Sequence, residues 1–265
     1  MENSARNQFL KTMNEPALPS VPNAPSYIDS HKAPGKGESY DEYYASDPER
    51  RYLWEQERRV LNCILREFYG DKAVHLLDFA CGTGRIASFL ESQVASSCAV
   101  DVSDSMLEVA RKKLVRARLL NANLLIENPF PKASFNLITA FRFFLNAEPD
   151  LRTAALKTLE PLLEESGCLV FNIHQNTHSL YYWPTRLYTR LLQKESSVTL
   201  SIGQCSQVLK QVGLKIVRVY PVGLLHIPKL RFRDRTRKWV DEAAIRCSVL
   251  GRISDSPIIV ARKSV

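Results

Sequence analysis

The stretch HLLDFACGTGRIASFL, residues 75–90, constrains this chain more than any other. A short apolar run ends in Asp78, small residues follow, and apolar positions then recur at Ile86, Phe89 and Leu90. The spacing predicts a strand, a tight turn and a helix. Gly82 and Gly84 accept backbone angles that a side chain forbids and let a ligand approach the main chain. The helix that begins near Gly84 turns its free N–H groups toward the same spot. The loop reads Asp78-x-Ala80-x-Gly82-x-Gly84, not the G-x-G-x-x-G that holds a pyrophosphate. A carboxylate at its head repels phosphate and suits a ligand with an ammonium group.

A second apolar run, SCAVDVS over residues 97–103, carries Asp101, an acid placed to accept hydrogen bonds from both hydroxyls of a ribose. Residues 104–114, DSMLEVARKKL, read as a helix. LLDFACGTGRIASFL and AVDVSDSMLEVARKKL together resemble the class I S-adenosylmethionine-dependent methyltransferases. The resemblance implies an α/β fold: a seven-stranded, mostly parallel Rossmann-like methyltransferase sheet with helices on both faces. It implies S-adenosyl-L-methionine as cofactor. Its contacts would come from Asp78, Ala80, Gly82 and Gly84 in the loop, from Asp101, Val102 and Met106 after the second strand, and from Phe141 after the fourth. The family usually has an aspartate near the adenine amine after its third strand. Here Asn123, beside Leu124, takes that place, and its oxygen can accept the same hydrogen bond. Glu127 is the competing assignment.

The 265 residues suit one such domain with an N-terminal extension. Residues 1–38, with Pro16, Pro19, Pro22, Pro25 and Pro34, read as a mobile tail, and residues 39–265 as the domain. The first twenty residues lack the apolar core of a signal peptide, and no apolar run is long enough to span a membrane. Six scattered cysteines without a Cys-x-x-Cys pair read as free thiols, which points to a cytoplasmic protein. Cys81 reads as a small loop residue. The net charge of +8 allows contact with nucleic acid or an anionic membrane surface. Its one dense patch, KLRFRDRTRKW at 229–239, reads either as a solvated helix face or as contact with an acidic acceptor or a membrane.

Asp47-Pro48-Glu49 opens a helix expected to run to Phe68, with Leu53, Val60, Ile64 and Leu65 on its apolar side. Such a helix often covers the cofactor cleft in the family, which makes Tyr44 and Arg51 candidate contacts. Further strands are expected within 118–126 and over 135–141, 168–174, 214–222 and 257–263, and helices over 148–165, 201–212 and 229–250. The aromatic-rich segment 175–200, with Tyr181, Tyr182 and Trp183, reads as a helical lid insertion over the acceptor.

An oxygen acceptor, such as a phenol or a hydroxy acid, benefits from a general base near neutral pH. His174 follows the fifth strand, and histidine titrates in that range. Arg142 follows the fourth strand and suits an anionic acceptor. His178 lies near His174, but no acidic third ligand accompanies the pair, so no metal is expected. Three functional classes stand. A methyltransferase acting on a small molecule, a glycan or a lipid precursor fits the single domain and the aromatic insertion. A nucleic-acid (RNA) methyltransferase has only the charge in its favour, because FRFF at 141–144 replaces the base-reading Asn/Asp-Pro-Pro-Tyr/Phe. A catalytically silent cofactor-binding protein is opposed by the intact Asp78, Gly82, Gly84 and Asp101.

Overall fold

The computed structural model describes residues 27–28, 35–182, 199–225 and 234–264. Two helices lead the domain, α1 (Lys36–Ser46) and α2 (Pro48–Ile64), and a π-helical turn extends α2 to Tyr69. The Asp47 carboxylate caps α2 by accepting from the backbone of Glu49 and Arg50. Then come β1 (His75–Phe79), α3 (Arg85–Leu90), β2 (Ser96–Asp101), α4 (Asp104–Lys113) and β3 (Arg118–Asn121). The second half runs β4 (Phe135–Ala140), α5 (Pro149–Leu159), β5 (Leu163–Asn172), α6 (Ile202–Gln211) and β6 (Leu214–Tyr220). It closes with α7 (Asp234–Ala244), the short α8 (Ser248–Gly251) and β7 (Ile258–Lys263).

The seven strands form one sheet in the order β3-β2-β1-β4-β5-β7-β6. β1 to β5 pair in parallel, and β7 enters antiparallel between β5 and β6. Alternate residues along the strands face opposite sides. Leu77, Ile138 and Phe171 join the core under α5 and α6, whereas Leu76, Leu137 and Val170 join the core under α2 and α3. The chain order reverses between β1 and β4, and the crevice at the carboxyl ends of these strands is where such sheets bind ligands.

Three expectations shift. The helix expected to reach Glu165 ends at Leu159, because Pro161 supplies no N–H donor; a 3-10 turn follows, and β5 begins at Leu163. Gly167 lies within β5, where a Cβ would stand 2.9 Å from the carbonyl oxygen of Asn136. The first helix begins at Lys36, so it crosses the boundary drawn at residue 38. Gly37 lets α1 lie against α4, since a Cβ there would run into the carbonyl of Ser105. Most of the lid segment (183–198) and part of the basic patch (229–233) lie outside the described residues. No helix among the described residues is long and apolar enough to cross a membrane.

Candidate functional site

The loop after β1 is built on left-handed backbone. Ala80, Gly82 and Gly84 have φ of 52°, 55° and 73°. The conformation costs Ala80 about 1–2 kcal/mol, a strain of the kind that collects at binding loops. A Cβ added to Gly82 would meet nothing within 4 Å, so the space above it is open. Gly84 differs: a Cβ there would press on Ala110 of α4 at 3.1 Å. Gly84 therefore serves close packing, and it lines neither of the cavities below.

Asp78 and Asp101 brace this loop. The buried Asp78 carboxylate accepts from the backbone N–H of Ala87 at 3.1 Å and from the Thr139 hydroxyl at 2.7 Å. Asp101 accepts from the N–H of Gly82 at 2.7 Å and from that of Ser103 at 3.0 Å. A carboxylate can accept about four hydrogen bonds, so this anchoring is compatible with holding a diol as well.

Burial pushes the Asp78 carboxyl up to about 7, against the pull of its two donors and of Arg85. The folded state therefore binds this proton more tightly than the unfolded chain does. The associated stability is present at acid pH and is lost as pH rises from about 4 through about 7. Asp78→Asn is isosteric and cannot ionise. Thermal melts from pH 5 to 8 should show the wild type losing ground to this variant up to about pH 7 and holding level above it. A difference independent of pH would show that Asp78 is ionised throughout.

Two cavities meet at this loop. The first, with about 500 Å³ of empty space partly open to solvent, is lined by Phe79, Val102, Asn123, Leu124 and Phe143, a mostly apolar slot for a flat ring. The second, of about 580 Å³, is lined by Asp78, Gly82, Met106, Phe141 and Arg142. Ala80, Asp101 and Tyr27 line both. The set fits a nucleoside joined to an amino acid: a slot for the base, Asp101 at the junction for the ribose, and open backbone over Gly82 for the rest. A cationic end near Asp78 would favour its ionised form. Asn123 lines the slot while its oxygen accepts from the N–H of Leu125; Glu127 is exposed and lines neither cavity.

A third cavity, of about 860 Å³, shares Tyr40, Arg142 and Asn146 with the second. His174 and Tyr44 also line it, so the structure brings His174 and Arg142 together as the sequence predicts. Arg142 adopts φ 61°, and its N–H donates to the Asn172 side chain at 2.7 Å. Its guanidinium lies 3.7 Å from Glu57, which also pairs with Arg85 at 2.5 Å and accepts from Asn172 at 3.2 Å. Burial, then the Arg142 and Arg50 guanidiniums, hold His174 well below the usual histidine range, so its imidazole is neutral at pH 7. Its Nδ1 is buried without a hydrogen-bond partner among the described residues. Burial raises the Tyr44 phenol, but the Arg142 and Arg85 guanidiniums outweigh it and hold the group below its ordinary value. Arg51 is exposed and lines none of these three cavities, and His178 is exposed too.

Sequence reasoning missed Tyr27 and Glu57. Tyr27 donates its backbone N–H to Glu148 at 2.7 Å and sets its ring edge-on to Phe143 at 5.5 Å, over the slot. Its signal was an aromatic–aliphatic pair, Tyr27-Ile28, amid prolines. Glu57 had a clearer one: it falls on the stripe Leu53, Val60, Ile64 at helical spacing, where an acid needs a partner.

The methyltransferase domain family matches residues 76–167. A protein of Geobacillus sp. (strain WCH70) that carries the name of a methyltransferase is 28% identical over 132 residues. That match covers 47% of this chain and 52% of the relative, so the chain spans about half of the relative's length. Among solved structures, magnesium protoporphyrin IX methyltransferase of Synechocystis PCC 6803 with bound S-adenosylhomocysteine superposes with a TM-score of 0.58 at 12% identity, over 89% of this chain and 97% of that one. The plantazolicin methyltransferase BpumL, also with bound S-adenosylhomocysteine, gives 0.60 at 13%, over 91% and 95%. At such identities the likeness is one of fold.

Proposed function

We propose that this chain is a class I S-adenosylmethionine-dependent methyltransferase and moves the methyl group of S-adenosylmethionine onto a hydroxyl of a small-molecule, glycan or lipid-linked acceptor. The observation that carries the reading is a shared wall: Tyr40, Arg142 and Asn146 line both the cleft over Gly82 and the space lined by His174.

When bound, S-adenosylmethionine supplies a methyl group on a sulfonium, open to in-line displacement. In this reading Asp101 holds the ribose, and Phe79, Leu124 and Asn123 hold the adenine. Gly82 lets the amino-acid end lie against the backbone, above Asp78. Tyr40, Phe141 and Arg142 stand between cofactor and acceptor and set the approach of the acceptor oxygen. With its proton on Nε2, His174 offers the Nδ1 lone pair to the acceptor hydroxyl. The Tyr27 ring above the slot and the tyrosines of α1 keep water from the reacting groups.

The test is a methyl-transfer screen of purified protein with S-adenosylmethionine and fractionated cell metabolites, read by mass spectrometry. A product 14 mass units heavier than an extract component, in step with S-adenosylhomocysteine release, is expected. Failure to bind either form of the cofactor in calorimetry would end the reading.

A further inference from the structure

Three guanidiniums surround one tyrosine ring. Arg85, Arg50 and Arg142 stand 4.9, 5.0 and 5.6 Å from the centroid of Tyr44. Glu57 is the buried carboxylate among them, and it serves Arg85 and Arg142. Arg50 donates to the Tyr43 hydroxyl at 2.8 Å, a neutral partner. The Nε atoms of Arg50 and Arg142 are both buried and have no hydrogen-bond partner among the described residues. A buried charged donor left unmade is costly, and two of them on residues that line one cavity call for a ligand. Both residues line the 860 Å³ cavity, together with Lys36, and its described lining contains no carboxylate. An adjoining cavity adds Asp47, Glu49 and Asp255. Asp47 is taken by the α2 cap, and Glu49 pairs with Arg237 at 2.7 Å. Asp255 acts on Arg142 from beyond the end of β5.

We infer that the methyl acceptor carries an oxyanion, a carboxylate or a phosphate, gripped by the Nε–H groups of Arg50 and Arg142 in the 860 Å³ cavity. The inference rests on the methyl-transfer reading for the word acceptor; the anion site itself does not. The grip accounts for two orphaned donors and adds negative charge beside three guanidiniums and Lys36, which Glu57 and Asp255 offset only in part. It also leaves His174 free for the acceptor hydroxyl, so the acceptor class is a hydroxy acid, a phenolic acid or a phosphate ester with a free hydroxyl.

Inorganic phosphate, benzoate and the neutral benzamide are titrated into the full chain, with and without S-adenosylhomocysteine, and followed by ligand-observed NMR. At least one anion should bind, and the tighter one names the group; benzamide should not bind. Arg50→Gln should weaken the anion about ten- to a hundredfold with unchanged cofactor affinity. Arg50→Lys, which keeps the charge and drops Nε–H, should recover only part. Arg142→Gln removes one of the two guanidiniums that pair with the buried Glu57 and alters the wall shared with the cofactor cleft, so Arg50 carries the test. Benzamide binding as well as benzoate, no binding of either anion, or an unchanged anion affinity in Arg50→Gln would overturn the inference. If S-adenosylhomocysteine binds while the anions do not, only this inference falls. If the anions bind and the cofactor does not, the site stands and the proposed function falls.

Discussion

Gly82→Val is expected to lower affinity for S-adenosylhomocysteine by more than about a hundredfold while the protein still folds, the two largest causes being strain and lost space. At φ 55°, Gly82 lies in left-handed backbone. A residue with a Cβ pays about 1–2 kcal/mol there, and a β-branched one more. For a domain of this size each kcal/mol shifts Tm by about 2–4 °C. Beyond its chain neighbours, no atom of the described residues lies within 4 Å of the new Cβ, so none of their core side chains is displaced. What the valine fills is the open space of the second cavity, which the ligand would need. Asp101→Ala is the milder companion: losing charge-assisted hydrogen bonds should cost about ten- to a hundredfold in affinity. Part of that loss comes through the loop, because Asp101 also anchors the N–H of Gly82. Calorimetry with circular dichroism separates the two effects, and wild-type affinity in a folded Gly82→Val would move the cofactor to another place.

The cofactor half of the site was legible because it is local. Asp78, Ala80 and Gly82 lie within five residues, and Asp101 ends the next strand, so spacing alone puts them at one sheet edge. Alternating strands and helices imply a parallel sheet, but the placement of the antiparallel β7 between β5 and β6 does not follow from them. The acceptor half was legible only in part, since its residues meet across long sequence distances. Arg142 and His174 could be read as strand-end residues. Glu57 could not be assigned to Arg85 and Arg142 without knowing that α2 lies across those ends. Arg50 is the plainest case: in the sequence it is one basic residue in the ordinary first turn of a helix, and only the fold sets it beside Arg142 over Tyr44. The end of α5 was misread for a different reason. Glu164 and Glu165 continue a helical pattern, but Pro161 outranks it, and the two acids lie in the first residues of β5 instead.

His174→Ala is expected to lower kcat by about 10²–10⁴-fold with cofactor affinity unchanged. A general base must be unprotonated before the reaction and must take a proton during it. The surroundings of His174 secure the first condition, since burial and the Arg142 and Arg50 guanidiniums keep the imidazole neutral at pH 7. They oppose the second, because an imidazolium beside two guanidiniums is poorly stabilised. An oxyanion between Arg50 and Arg142 would offset their charge and raise the basicity of His174 only when the acceptor is in place. The free-enzyme profile should then show kcat/KM flat through neutral pH and falling only in acid, where the depressed pKa of His174 is crossed. Added imidazole should restore part of the activity of His174→Ala. Tyr44 offers the sharpest contrast: Tyr44→Phe keeps the ring beside the guanidiniums and removes only the phenol, which the same cations hold below its ordinary value. If His174 is the base, Tyr44→Phe should cost far less in kcat than His174→Ala. A larger loss in Tyr44→Phe, with His174→Ala changing only Tm, would transfer the role to the phenol.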